Sequence, residues 1–327
     1  MRGSRWGAAA LLAALVLGAV GCGDGRSVAP ARDTSTAGAS DLPTPAATEG
    51  NGPMVPPLPD LSRTPKTPLP ASTPSGQSSS QPSGPSSGQT FGADISWPQC
   101  PKGMGIPEKR TEGRPMPTAA ARFVVVGLTN GPSFVANPCL EDQVRWVRDR
   151  HLLAAAYSVV SYPDDRTVAQ LRDQGPFPGG TRLGALSNVG YQAALFNLDT
   201  MRRAGLQTPV IWIDVEPVTG FDWSPDVVAN AAVVQGMSRG YRDAGFRIGY
   251  YSIGSLWTRV VGGLRTGAPE WRPAGERGLG EAISRCGADW SFQGGPGVLG
   301  QWVEDHRDRN VTCPGAMPDL DRWFHRY

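Results

Sequence analysis

Two carboxylates follow a strongly apolar run in the middle of the chain. In the stretch TPVIWIDVEP, residues 208–217, the apolar residues predict a buried strand, and Asp214 and Glu216 follow it with one residue between them. Because side chains on a strand alternate between its faces, both carboxyls should point the same way, about 7 Å apart. Two like charges at the end of a buried strand are costly unless something uses or neutralises them. Arginines at the rim of the sheet are the purely structural way to neutralise them.

Such a pair has the composition needed for glycoside hydrolysis. One protonated carboxyl donates to the leaving oxygen, and a second group stabilises positive charge at the anomeric carbon. Neighbouring carboxyls push their pKa values apart, so one keeps its proton near neutral pH. We assign Glu216, which has the longer reach, as general acid/base. Asp214 is expected to hold the substrate, to stabilise the cationic intermediate, or to orient a 2-acetamido group whose carbonyl acts as the nucleophile.

Further polar and aromatic residues come at the ends of other predicted strands. Asp94, in GADISW, is expected to tune the acid pair or to position the sugar. Aromatic side chains at the same level could stack on the apolar faces of sugar rings, whereas Trp212 is better explained as a core residue. The candidate stacking residues are Trp97, Tyr157, Tyr251 and Trp302.

These residues need a scaffold that brings strand ends together. Apolar runs of strand length alternate with helical patterns, joined by short Gly- and Pro-containing connections, which predicts a parallel sheet covered by helices. Eight candidate strands favour a closed, irregular TIM-like β/α barrel, of class α/β, over residues 91–327. No G-x-G-x-x-G follows the first strand, which disfavours dinucleotide binding. The predicted strands are 91–97, 121–131, 152–163, 208–217, 247–252, 269–274, 288–293 and 297–305, and the predicted helices are 137–150, 188–206 and 224–245.

The chain begins with features of an exported protein. Residues 1–22 combine early arginines with a short apolar run and end in AVGC, which resembles the lipobox of bacterial lipoproteins and makes Cys22 the expected site of lipidation. An ordinary signal peptide with a coincidental cysteine is the alternative. Residues 23–90 are rich in Pro, Ser, Thr and Gly and predict a disordered tether. We therefore expect the domain outside the cytoplasm, anchored to the outer face of the membrane or released into the cell wall.

Four cysteines remain for the predicted barrel, an even number in an exported domain. Two disulfides are the natural interpretation, and of the three ways to pair them we favour Cys100 with Cys139 and Cys286 with Cys313, because each joins neighbouring elements. A zinc site is the weaker rival, since the sequence lacks C-x-x-C and has three scattered histidines. We expect no metal and no cofactor.

Charge adds little to the search for partners. The formal net charge of the whole chain is +2, and no basic run alternates with aromatic residues. Nucleic acid is therefore an unfavoured partner.

Three stretches together resemble the glycoside hydrolases of family 25: GADISW near the start of the domain, IWIDVEP in its middle, and GQWVED followed by DLDRWF near its end. That family consists of secreted lysozymes that cleave the N-acetylmuramoyl bond of peptidoglycan on an irregular α/β barrel. The resemblance implies acidic site positions at Asp94, Asp214, Glu216 and Asp319, and aromatic subsite positions at Tyr157, Tyr251 and Trp302. A cysteine in the loop after the first strand and the stretch 262–287 depart from the family pattern.

The resemblance implies a muramidase that acts on peptidoglycan or a related cell-wall glycan. The lipobox-like segment adds the expectation of a lipid anchor in the membrane, and we expect a monomer. Two other functions fit the same sequence. The first is a catalytically inactive, glycan-binding envelope lipoprotein that keeps the barrel and its groove. The second is a structural or partner-binding envelope protein. Turnover of the glycan separates the muramidase from the other two functions. Glycan affinity separates the glycan-binding lipoprotein from the structural or partner-binding protein.

Overall fold

The computed structural model of the chain describes residues 88–327. The predicted signal peptide with Cys22, and the predicted tether up to residue 87, lie outside the described residues. Within the described residues, no helix combines the length and apolar character needed to cross a bilayer.

In this described part of the chain, eight strands close into a barrel, with six helices around it. Going around the barrel, each of β1 to β8 pairs with the next, β8 pairs with β1, and β9 adds to β3. The strands are β1 Phe91–Ile95, β2 Phe123–Gly127, β3 Leu153–Val159, β4 Val210–Asp214, β5 Arg247–Tyr251, β6 Glu270–Pro273, β7 Gly297–Glu304, β8 Arg307–Thr312 and β9 His325–Arg326. The helices are α1 Leu140–Asp149, α2 Asp165–Leu171, α3 Arg182–Ala204, α4 Val227–Asp243, α5 Gly254–Val261 and α6 Gly278–Ser284. This is the irregular β/α barrel expected from the sequence.

The irregularity lies in β8. Strands β1 to β7 run parallel, but β8 is antiparallel to both β7 and β1. A tight turn makes this reversal, with Asp305 and His306 both at positive φ, 51° and 57°, as a two-residue hairpin turn requires. β8 was not predicted from the sequence, because its first half is a charged run rather than an apolar one. His306 is exposed at the tip of this turn.

The predicted strand at 288–293 is wrong. That stretch instead contains a 3₁₀ turn, Ala288–Trp290, followed by a loop. The buried carboxylate of Glu270 accepts hydrogen bonds from the backbone N–H groups of Phe292, Gln293 and Gly295. The loop's donors therefore bond to a side chain, and strand pairing cannot use them.

Two cores hold the barrel together. The outer core lies between the strands and the surrounding helices, where α3 packs closely on α4. The inner core fills the barrel below its mouth with large apolar side chains, including Phe123, Trp212 and Trp271. At the end where the parallel strands begin, Trp323 stacks on Trp212 and Phe324 packs on Phe123. The described C-terminal residues thus cover this end of the barrel.

The long helices around β4 have conventional ends. Thr181 caps α3 by accepting from the N–H of Gly184, and Gly205 ends it at a positive φ of 68°. Asp226 caps α4 by accepting from the N–H groups of Val228 and Ala229. The predicted helix 188–206 therefore begins six residues earlier than its apolar spacing indicated, at the capped residue Arg182.

Both disulfides pair as the sequence analysis favoured. Cys100 is bonded to Cys139, and Cys286 to Cys313. The first bond ties the loop that follows β1 to the start of α1. The second ties the segment after α6 to the residue that follows β8. The loop after β1 is the one that matters for the site, because it supplies part of the wall at the barrel mouth.

Candidate active site

The end of β4 presents both carboxyls to the barrel mouth. Asp214 is the last residue of β4, and the extended pairing continues for one residue, because the Val215 N–H donates to the Tyr251 carbonyl at 3.0 Å. The Glu216 carbonyl then accepts a 2.9 Å hydrogen bond from the indole of Trp223. The backbone is thereby fixed on both sides of the Asp-x-Glu unit. Asp214 is buried and Glu216 is half-buried, and both line one cavity.

This cavity, about 300 Å³ in volume, opens at the carboxyl ends of the parallel strands. Such a mouth is where barrel enzymes build their sites. The acidic residues that line it are Asp94, Asp214, Glu216 and Asp308; the aromatic ones are Trp97, Tyr157, Tyr251 and Trp271; and Lys109 and Gln301 are among the others. The cavity therefore combines four carboxyls with four aromatic rings.

Asp94 is held by a chain of hydrogen bonds. Its Oδ1 accepts from Gln301 Nε2 at 2.9 Å and from Asn310 Nδ2 at 2.6 Å. The Gln301 amide oxygen accepts from the Tyr251 hydroxyl at 2.9 Å, and the Asn310 amide oxygen accepts from the Trp271 indole at 2.7 Å. Each amide is oriented by the aromatic donor behind it, so both present their N–H groups to the same carboxyl oxygen.

Asp214 differs, because its buried Oδ1 has no hydrogen-bond partner among the described residues. A buried acceptor without a donor is costly, and such atoms in native structures call for an explanation. At the wall of an open cavity, the simplest explanation is a donor supplied by a ligand. An N–H group next to the scissile bond would meet this requirement.

The carboxyls in the cavity hold their protons more tightly than isolated ones. Burial, then repulsion from Asp308, raises the pKa of Asp94 well above its usual range, although its two amide donors lower it. Burial, then repulsion from Glu216, raises the pKa of Asp214 well above its usual range. Near neutral pH the cluster therefore carries fewer charges than it has carboxyls.

The pKa of Glu216 is close to the neutral pH at which such a site would work. Burial and the charge of Asp308 raise its pKa to about 7, and the charge of Lys109 opposes this rise. A general acid is most effective when its pKa is near the working pH. Burial also raises the pKa values of Tyr157 and Tyr251 well above their usual range, so both stay protonated as hydrogen-bond donors.

Six of the predicted site residues meet in this cavity: Asp94, Trp97, Tyr157, Asp214, Glu216 and Tyr251. Small residues make this possible. A Cβ on Gly127 would lie 2.4 Å from the Ser96 side chain and 2.8 Å from the Tyr157 ring. At position 127 of β2, therefore, only glycine leaves room for the side chains of Ser96 and Tyr157. Trp212, in contrast, is fully buried beneath the cavity, as the core interpretation predicted.

Trp302 and Asp319 do not lie in the cavity. Successive side chains of β7 point to opposite faces, so Gln301 faces the barrel interior and Trp302 faces outward. The Trp302 ring lies edge-on to that of Phe91, with 6.5 Å between the ring centroids. Asp319 is exposed in the 3₁₀ segment Pro314–Arg322, which leads to the residues that close the opposite end of the barrel. The structure therefore separates both from the other predicted site residues.

Four residues of the site were missed in the sequence. Asp308 and Asn310 follow Gln301 and Trp302 with the spacing D-x-N on β8, so their side chains face the interior together. The late acidic position of the site had instead been predicted at Asp319. Trp271 lay in a predicted strand without a role, and Lys109 lies in a loop that carries no motif. The D-x-N spacing was thus the one usable signal.

The described residues contain no grouping of three or more His, Cys, Asp or Glu side chains arranged to hold a metal ion. The four carboxyls of the cavity are instead spaced around its wall and have aromatic and amide neighbours.

Comparisons with known proteins give one short match in sequence. No protein-family model matches the chain. Over 64 residues the chain is 36% identical to the probable GH family 25 lysozyme 4 of Dictyostelium discoideum. This match covers 19% of the present chain and 29% of the length of that protein.

Several solved structures resemble the chain at low sequence identity. A family GH25 lysozyme from Aspergillus fumigatus is 15% identical, with a TM-score of 0.45, over 72% of this chain and 98% of that one. A muramidase from Acremonium alcalophilum is 13% identical, with a TM-score of 0.44, over 71% and 99%. A bacterial lysozyme from Streptomyces coelicolor is 12% identical, with a TM-score of 0.43, over 71% and 97%. The sequence match to the Dictyostelium protein, together with the Asp-x-Glu unit at the mouth of an irregular eight-stranded barrel, supports the similarity of residues 88–327 to the glycoside hydrolases of family 25.

Proposed function

We propose that this domain is a muramidase that hydrolyses peptidoglycan with retention of configuration, using Glu216 as general acid/base. The observation that carries the proposal is the position of Glu216 on the wall of the cavity, beside the buried carboxyl of Asp214, with its pKa raised to about 7. Near neutral pH a large fraction of Glu216 is protonated and able to donate. The relatives named above carry the words lysozyme or muramidase, which is consistent with this activity.

The first half of the reaction breaks the glycosidic bond. Glu216 donates its proton to the glycosidic oxygen, and the leaving sugar departs with that oxygen as a hydroxyl. The carbonyl oxygen of the substrate's own 2-acetamido group attacks the anomeric carbon and forms a cyclic oxazolinium ion. Asp214 Oδ1, which has no partner in the protein, accepts a hydrogen bond from the acetamido N–H and orients the group.

The second half restores the enzyme. The Glu216 carboxylate takes a proton from water, whose oxygen attacks the anomeric carbon from the face that the leaving group vacated. The acetamido carbonyl is released, so two inversions give net retention. Asp94, fixed by Gln301 and Asn310, supplies negative charge below the developing cation or binds a sugar hydroxyl. The rings of Trp97 and Trp271 form apolar surfaces in the wall of the cavity on which sugar faces can lie.

We further propose that the domain works outside the cytoplasm, held to the membrane through lipid on Cys22 and separated from it by the tether at residues 23–90. The two disulfides are consistent with an oxidising compartment. A flexible tether would let the barrel reach glycan strands above the membrane surface.

The test is hydrolysis of purified peptidoglycan by the mature, disulfide-bonded chain, beside the variant Glu216→Gln. Mass spectrometry of soluble products should reveal new muramic acid reducing ends with the wild type and none with the variant. Asp199→Asn, a change on α3 at a residue that does not line the cavity, is the matched control and should retain activity. If the wild type pellets with the cell wall but releases nothing, the proposal is wrong, and a non-catalytic glycan-binding lipoprotein is the function left.

A further inference from the structure

One cation faces the four carboxyls of the cavity. Among the described residues that line it, Lys109 is the only one with a positive side chain. It makes no ion pair within 4.0 Å with any described residue. Its charge nevertheless acts inside the cavity, because it opposes the rise in the pKa of Glu216. A lysine beside acids that does not pair with them is available to a ligand.

The loop that carries Lys109 is built to hold it in place. Lys109 ends a 3₁₀ turn, Pro107–Lys109, and its carbonyl accepts a 3.0 Å hydrogen bond from the buried amide of Asn130. The same amide accepts at 3.0 Å from the N–H of Ile106. Asn130 follows β2 at the cavity side of the barrel, so one fully buried side chain fixes both ends of the turn.

The side chain of Lys109 also has a defined path. A Cβ built on Gly131 would lie 2.9 Å from Lys109 Cγ, so the methylene chain lies directly over the Gly131 backbone. Gly131 itself lines the cavity. The Cys100–Cys139 disulfide holds the start of the same loop against the barrel. The ammonium group is therefore delivered to the rim of the cavity by an anchored loop rather than by a free surface chain.

We propose that Lys109 binds a carboxylate carried by the glycan and so makes the site selective for acidic over neutral sugar chains. This inference rests on the proposed function, in which a glycan occupies the cavity. An acidic cavity repels an anionic substrate unless a positive group offsets that repulsion, and an ammonium–carboxylate hydrogen bond does so at close range. The carboxylate has two sources in peptidoglycan: the lactyl group of muramic acid without a stem peptide, or the stem peptide itself.

Binding in a Glu216→Gln background tests this without turnover and without the titration of Glu216. Isothermal titration would measure the affinities of three glycans of equal length: a chain stripped of stem peptides, a chain that bears them, and a neutral N-acetylglucosamine oligomer. Lys109→Met removes the charge and Lys109→Arg keeps it. Lys102→Met is the matched control, because Lys102 is an exposed lysine of the same loop that does not line the cavity.

Lys109→Met should lower the ratio of acidic to neutral glycan affinity about tenfold, the effect of one charged hydrogen bond. Lys109→Arg should keep most of this ratio, and Lys102→Met all of it. If Lys109→Met weakens binding of the chain stripped of stem peptides, the carboxylate bound by Lys109 is that of the lactyl group. If it weakens binding only of the chain that bears stem peptides, the carboxylate belongs to the peptide. Equal weakening of acidic and neutral glycans would overturn the inference and leave the proposed function standing. Failure of all three glycans to bind before Lys109 is changed would overturn both.

Discussion

Asn310 and Asp94 lie on adjacent strands and are joined by a 2.6 Å hydrogen bond from the Asn310 amide to the carboxyl. The amide oxygen of Asn310 accepts from the indole of Trp271, so the three residues form one chain across the barrel interior. β8, the strand with the reversed direction, thus supplies the group that fixes the acid of β1. The irregular part of the barrel is also the part that organises the site.

Replacing Asn310 with alanine should damage both stability and turnover. The change leaves the Trp271 indole without an acceptor in a buried site, which should lower the free energy of unfolding by about 1–3 kcal/mol. It also removes a donor that lowers the pKa of Asp94, so the acidic limb of the kcat/KM profile should move to higher pH. Urea unfolding and the pH profile are the measurements, and we expect kcat to fall about tenfold.

Trp302→Phe is the control for this change, because Trp302 lies in the outer apolar cluster and faces away from the Asp94 network. It should lower stability and leave the pH profile in place. An unchanged profile in Asn310→Ala would show that the amide acts only on the fold.

The raised pKa of Glu216 also predicts how stability depends on pH. The folded state holds the Glu216 proton up to about pH 7, whereas the unfolded chain releases it near 4.5. The native state thus binds more protons in this window, and the free energy of unfolding should fall as pH rises from about 4.5 through 7. Glu216→Gln removes this titration and should raise stability at pH 8 by roughly 1–3 kcal/mol.

Urea unfolding of wild type and Glu216→Gln at pH 5 and pH 8 would measure this. The difference between the two proteins should be larger at pH 8. Equal differences at both pH values would contradict a native Glu216 that titrates near neutrality. The comparison needs no substrate, so it is independent of the assigned reaction.

Replacing Asp308 and replacing Lys109 should shift the basic limb of the kcat/KM profile in opposite directions. Asp308 raises the pKa of Glu216, and Lys109 lowers it. A general acid loses activity as pH rises through its pKa, so Asp308→Asn should move the basic limb to lower pH and Lys109→Met should move it to higher pH. The measurement is kcat/KM against pH on peptidoglycan.

Asp319→Asn is the matched carboxyl control for Asp308→Asn. Asp319 is exposed and does not line the cavity, so its loss should leave both limbs where they are. A shift with Asp319→Asn as large as that with Asp308→Asn would mean that total charge, rather than position in the cavity, sets the profile.

The strand ends could be predicted from sequence because buried parallel strands are apolar runs whose side chains alternate between two faces. The predicted strands located β1 to β7 correctly, and alternation then put Asp214 and Glu216 on one side of β4. The same alternation faces Trp302 away from Gln301 on β7, so the expected stacking position at Trp302 was wrong. Secondary structure was thus most predictable where burial dictated residue type.

The strand β8 and the loop that precedes β7 could not be predicted in this way. β8 begins with a charged stretch that pairs with β7 and places Asp308 in the cavity wall, so no apolar run marks it. The stretch 288–293 was predicted to be a strand from its composition, yet the buried Glu270 carboxylate accepts hydrogen bonds from its backbone N–H groups at Phe292 and Gln293. Lys109 comes from a loop whose position depends on Asn130, a residue about twenty positions away. Long-range polar contacts decided each of these outcomes.

Gly249 on β5 should not tolerate even a methyl group. It is opposite Trp212 in the ladder, and a Cβ there would lie 2.3 Å from the Trp212 ring. Trp212 cannot move aside, because it is fully buried and its ring packs against those of Trp271 and Trp323. Gly249→Ala should therefore lower the free energy of unfolding by about 1–3 kcal/mol, the usual effect of overpacking a core.

Gly263→Ala is the matched change, since a Cβ at Gly263 meets nothing within 4 Å. Its effect should stay within about 0.5 kcal/mol. Because Trp271 forms part of the cavity wall and packs on Trp212, Gly249→Ala should also weaken glycan binding, and Gly263→Ala should not. Thermal unfolding and titration with a peptidoglycan fragment measure the two effects. Equal losses of stability in both variants would mean that the inner core can yield around Trp212, and that the cavity floor is not set by its packing.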